Sequence, residues 1–103
     1  MQQRQQRVGE LLRQEISAII QRELRDPRIG LVSVTEVRVS PDLREAKVFV
    51  SAYGDEELRR ANVEALESAA GHVRAILGRK LEMRYVPHIE FALDEGVERG
   101  III

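Results

Sequence analysis

A chain of 103 residues has material for one hydrophobic core, and 44% apolar residues suffice to fill it. It holds no cysteine, which excludes disulfide stapling, thiolate catalysis and cysteine-based zinc sites together. The formal net charge is -1 and no apolar run approaches the roughly 20 residues of a bilayer span, so a soluble protein is expected.

The first segment carries Val8, Leu11, Leu12, Ile16, Ile19, Ile20 and Leu24 at three- and four-residue steps. That spacing predicts a long amphipathic helix. Pro27 ends it by Asp26, because the residue before proline is biased away from helical angles. Gly9 weakens the first turns by about 1 kcal/mol relative to alanine, so fraying is expected there.

Two strands follow. Leu31 to Val39 is rich in β-branched residues, and Glu45 to Tyr53 alternates Ala46, Val48, Val50 and Ala52 with Lys47, Phe49, Ser51 and Tyr53. The link from Ser40 to Arg44 is short and has the turn chemistry of an antiparallel hairpin. In the first strand Val32 and Val34 share one phase while Val37 and Val39 share the other. Either a bulge or a strand covered on both faces accounts for that shift.

Asp55 is a good N-cap, with Glu56 and Glu57 where a helix dipole favours negative charge. Leu58, Ala61, Ala65, Leu66 and Ala69 then form a helical stripe, and Val73, Ile76 and Leu77 restart one. The break between them, Ala69-Ala70-Gly71, predicts two helices meeting at a kink. A last strand covers His88 to Leu93, opened by Pro87. The expected architecture is a single α+β domain over residues 1–103. Its order is αββααβ, with helices on one face of a three-stranded sheet.

Summed by segment, the charge is uneven. Residues 1–30 carry six arginines against four acids, and residues 54–67 carry two arginines against five acids. Residues 71–88 hold Arg74, Arg79, Lys80 and Arg84 against Glu82 alone. A basic segment beside a kink is the pattern expected of contact with a phosphate backbone.

The element order is that of a type-II KH domain, a fold that usually binds single-stranded nucleic acid through a G-x-x-G loop. No G-x-x-G occurs in this sequence. In its place Ala69-Ala70-Gly71 resembles the A-x-G kink of the ribosome-binding factor A family. Three further stretches resemble that family: Arg7-Val8-Gly9-Glu10-Leu11-Leu12 through Arg25-Asp26-Pro27-Arg28; Val34 to Leu43 leading on to Ala46 to Ser51; and Arg84 to Asp94. Gly96 stands where the family usually has serine, and Ile101-Ile102-Ile103 stands where many members carry a tail.

The resemblance implies a KH-like, non-catalytic assembly factor of the cytoplasm, linked to growth in the cold. It implies binding to the small (30S) ribosomal subunit or its precursor through 16S rRNA during late processing. Other assembly factors, a GTPase among them, are expected as partners. A monomer with no membrane association, cofactor or metal is expected. The candidate RNA contacts are Arg74, Arg79, Lys80, Arg84 and, at the exit of the first helix, Arg28. Arg4, Arg7, Arg13, Arg44 and Lys47 are weaker candidates.

Gly71 has two readings. It could be a left-handed helix-ending glycine, or a small residue that admits an RNA backbone. Phe49 and Phe91 read as core, and Tyr85 as either core or a base-stacking ring. His72 and His88 lack the companions of a metal or catalytic site, and no nucleophile or phosphate-loop motif occurs. An enzyme is therefore not expected. Two rivals remain: a general KH-type RNA chaperone, and a protein-interaction or dimerisation module using the acidic surface and the Ile101-Ile102-Ile103 end.

Overall fold

The computed structural model describes residues 3–95. The elements are α1 (Gln3–Arg22), β1 (Val32–Val39), β2 (Glu45–Ala52), α2 (Glu56–Ser68), α3 (Ala70–Leu81) and β3 (His88–Leu93). This is the αββααβ order expected above. No helix among the described residues is long and apolar enough to cross a membrane.

β2 lies in the middle of the sheet, antiparallel to β1 and parallel to β3. Its alternation decides which side becomes core. Ala46, Val48 and Val50 pair with Val39, Val37 and Val34 of β1, and with Ile89, Phe91 and Leu93 of β3. That apolar face meets Leu12, Ile16, Ile19 and Ile20 of α1, Leu66 of α2, and Val73, Ile76 and Leu77 of α3. Fully burying each of these large side chains contributes about 1.5–3 kcal/mol.

The phase shift in β1 is a bulge. Val34 pairs with Val50 and Glu36 with Phe49, so Thr35 has no partner of its own. The inserted residue restores the inward phase, and Val34 and Val37 both reach the core. The Thr35 hydroxyl lies 2.6 Å from a carboxylate oxygen of Asp94, just past β3, and ties the bulge to the far side of β2.

α1 approaches β1 closely through a glycine. A Cβ added at Gly9 would sit 2.8 Å from the Val37 carbonyl oxygen. One turn earlier the buried Gln5 side-chain amide donates to the Val39 carbonyl at 2.8 Å. Gly9 is buried within α1, and the helix continues on its N-terminal side to Gln3. Close packing thus compensates for the low helix propensity that made fraying the expectation.

α2 opens as its sequence foretells, with the Asp55 side chain accepting from the Leu58 N–H at 2.8 Å. Asn62, only 4% exposed, accepts from the Gly30 N–H at 2.8 Å and donates to the Leu58 carbonyl. A buried side-chain amide thereby pins the loop before β1 to α2. α3 ends at Glu82 with φ 51 and ψ 37, the left-handed region that costs a non-glycine residue roughly 1–2 kcal/mol. Glu82→Gly is expected to raise stability by about 0.5–1 kcal/mol once glycine's larger unfolded-state entropy is subtracted. A higher urea midpoint at unchanged slope checks this, and a lower midpoint contradicts it.

Candidate nucleic-acid interface

The junction between α2 and α3 is Ala69, with φ -92 and ψ 0. These angles lie in the right-handed bridge region, so α2 stops and α3 begins without a left-handed residue. Gly71 is already helical, its φ is not positive, and no heavy atom lies within 4 Å of where its Cβ would be. The helix-ending, left-handed reading of Gly71 is therefore corrected. Nothing in the described chain requires a glycine there, although it costs the helix about 1 kcal/mol relative to alanine. What it leaves is open space on the surface.

That space belongs to a shallow depression lined by Gly71, Arg74, Ala75, Arg84, Tyr85 and Val86. A second depression shares Arg84 and Tyr85 with it and adds Arg4, Asp42, Leu43, Arg44 and Met83. Four arginines, from α1, the β1–β2 turn, α3 and the segment before β3, thus line one continuous surface, and Asp42 is its only acid among the described residues. The helix period directs Arg74 toward the segment before β3. Its Nε donates to the Pro87 carbonyl at 3.0 Å and its Nη2 to the Val86 carbonyl at 2.9 Å. Arg74 therefore holds this wall as well as charging it.

The remaining candidates lie apart. Lys80 pairs with Glu15 of α1 at 3.3 Å. Arg28 pairs with Asp26 at 2.8 Å, and that contact lowers the Asp26 carboxyl below its ordinary range and raises the guanidinium. Arg79 is exposed and makes no ion pair among the described residues, and it lines neither depression. Phe49 is buried on the face away from the helices. The cations of Arg38 and Lys47 lie over its ring, 5.5 and 5.6 Å from the centroid.

The family model for ribosome-binding factor A matches residues 4–103. Ribosome-binding factor A of Halothermothrix orenii is 54% identical over 95% of this chain and 80% of its own length. That of Thermomicrobium roseum is 57% identical over 94% of this chain and 75% of its own. The chain belongs to the ribosome-binding factor A family. The crystal structure of ribosome-binding factor A from Thermus thermophilus superposes with a TM-score of 0.77 at 32% identity, covering 86% of this chain and 93% of that one. The Thermus thermophilus ribosome binding factor A homology model fitted into the cryo-EM map of a 30S complex superposes with a TM-score of 0.69 at 34% identity. It covers 82% of this chain and 88% of that one.

Two family-like stretches distant in sequence meet at this surface. The backbone N–H of His88 donates to the Arg44 carbonyl at 2.8 Å, which fixes the β1–β2 turn beside the segment before β3. Within the turn the Ser40 hydroxyl donates to Asp42 at 2.7 Å, and the Arg44 N–H donates to the same carboxylate oxygen. These contacts, the Ser40 hydroxyl first, lower the Asp42 pKa. Asp42 then binds its proton more weakly in the folded turn than in the unfolded chain. Its contribution is complete above the ordinary aspartate value near ~3.9 and is lost as pH falls through the lowered value. An NMR titration of Asp42 is expected to show a depressed midpoint that rises in Ser40→Ala. An unmoved midpoint in that variant assigns the shift elsewhere.

Proposed function

We propose that this chain binds the small ribosomal subunit or its precursor through the backbone of 16S rRNA and assists late maturation without catalysing a reaction. The observation that carries the reading is the arginine-lined surface opening from Gly71, where a missing side chain leaves room on a surface lined by Arg4, Arg44, Arg74 and Arg84. Arginine suits this task because its planar fork matches phosphate oxygens. The likeness to the Thermus thermophilus protein fitted into a 30S complex supports the same target here.

The mechanism is differential binding. Contacts made in one rRNA conformation and not in another shift the population toward the first. Such a factor works as a cytoplasmic monomer beside other assembly factors, a GTPase among them. Sedimentation with ribosomal subunits at graded salt tests the reading. The protein is expected to comigrate with free small subunits rather than assembled ribosomes, and to dissociate as salt rises. Comigration that ignores salt, or that prefers assembled ribosomes, contradicts it.

A further inference from the structure

Tyr85 stands at the point where the two depressions meet, and its side chain is not part of the core. The residue is 66% exposed, whereas Phe49 and Phe91 are 7% and 3% exposed. The guanidinium carbon of Arg44 lies 5.5 Å from the centroid of the Tyr85 ring. The backbone around the ring is held firmly. Arg74 grips the carbonyls of Val86 and Pro87, and the His88 N–H is bonded to Arg44. An exposed ring on a braced backbone, with a cation over it, suits the stacking of a base on its open side, as single-strand binders do.

Tyr53 supplies the internal contrast. It is 78% exposed, but no cation lies over its ring among the described residues, and Asp55, Glu56 and Glu57 follow it closely in sequence. A phosphate chain is repelled there. Beside Tyr85 stand Arg4, Arg44, Arg74 and Arg84, while the one acid, Asp42, is already occupied by Ser40 and the Arg44 N–H.

We infer that Tyr85 is the stacking platform for one unpaired base of the bound RNA, with Arg44 over the ring and Arg84 next to it for the adjoining phosphate. This rests on the RNA-binding reading above and narrows it to a single-stranded segment with a splayed base, as opposed to a duplex recognised by its backbone alone. Tyr85 contributes stacking and no charge. Its removal therefore weakens binding equally at every salt concentration, while removal of an arginine changes the salt dependence itself.

The test uses the full chain and purified small subunits, with affinity measured across a salt series. Tyr85→Phe is expected to bind within about twofold of wild type. Tyr85→Ala is expected to bind roughly 5- to 150-fold more weakly, the range of one base–aromatic stack. Its log–log salt slope should stay unchanged. Tyr85→Leu keeps apolar bulk without a π face, and is expected to lose as much as the alanine variant. In a Tyr53→Phe background, where Tyr85 is the only tyrosine, single-stranded oligoadenylate is expected to quench the tyrosine fluorescence and duplex RNA to leave it unchanged. Wild-type affinity in Tyr85→Ala or Tyr85→Leu, or equal quenching by duplex, overturns the stack and leaves the RNA-binding reading standing. A shallower salt slope in Tyr85→Ala overturns it too, because the ring then acts by placing Arg44. Wild-type protein without salt-dependent subunit binding removes the broader reading, and the stack with it.

Discussion

Replacing Gly9 with alanine is expected to lower the stability of the fold by about 1–2 kcal/mol, although alanine is the better helix former. The new methyl would sit 2.8 Å from the Val37 carbonyl oxygen. That oxygen belongs to the backbone of β1 and cannot rotate away as the end of a side chain could, so α1 must move outward. Such overpacking costs about 1–3 kcal/mol, against roughly 1 kcal/mol gained in helix propensity. Moving α1 also lengthens the hydrogen bond from Gln5 to Val39. For a domain of this size the loss corresponds to a Tm lower by roughly 5–15 °C. A thermal melt at or above the wild-type midpoint would show that α1 tolerates a wider spacing.

Substituting Arg44 and Arg84 together is expected to produce the largest loss of subunit affinity. Both line the surface beside Tyr85, and neither has an acid partner among the described ion pairs. Each phosphate contact with a single strand contributes about 0.7 to the slope of log affinity against log salt. The double alanine variant should therefore show a slope shallower by about 1.4. Arg28→Ala and Lys80→Ala remove cations that Asp26 and Glu15 already neutralise. Their slopes should stay close to wild type. Equal effects at all four positions would mean that RNA contacts spread well beyond the two depressions.

The helices and strands were legible because their periods are written plainly. Ala46, Val48 and Val50 alternate, and Leu12, Ile16 and Ile19 recur at helical steps. The Thr35 bulge is not legible in the sequence, because a change of phase in one strand does not reveal what that strand pairs with. Phe49 reads as core and is buried, but the pleat directs it to the side opposite the helices, beneath two cations. A one-dimensional apolar pattern carries no sign for such a face.

The candidate site was legible only as local charge. Arg74, Arg79, Lys80 and Arg84 are near neighbours in sequence, yet the turn of α3 sends Lys80 toward α1 and Arg74 toward β3. The residues that complete the surface, Arg4 and Arg44, arrive from the start of the chain and from the β1–β2 turn. Arg44 is brought beside Arg84 because Glu45 pairs with His88, and Arg4 because α1 packs on β1, both long-range arrangements with no local signal. Arg74 also shows why a charge count is insufficient: two of its N–H groups are committed to carbonyls, so an alanine there loosens the wall as well as discharging it.

The bulge at Thr35 and the tight seat of Gly9 also bear on how the molecule behaves in a crowd. β1 is an outermost strand, and outermost strands offer unpaired backbone groups to any passing chain. Along its second half α1 closes that offer, with Gln5 taking the Val39 carbonyl and Gly9 resting on the Val37 carbonyl. Along its first half the bulge breaks the regular ladder that an intruding strand would need. One strand is thus guarded against aggregation twice, by different means at its two ends. Gly9→Ala, by lifting α1, would remove one guard, and its variant should form sheet-rich aggregates at concentrations the parent tolerates.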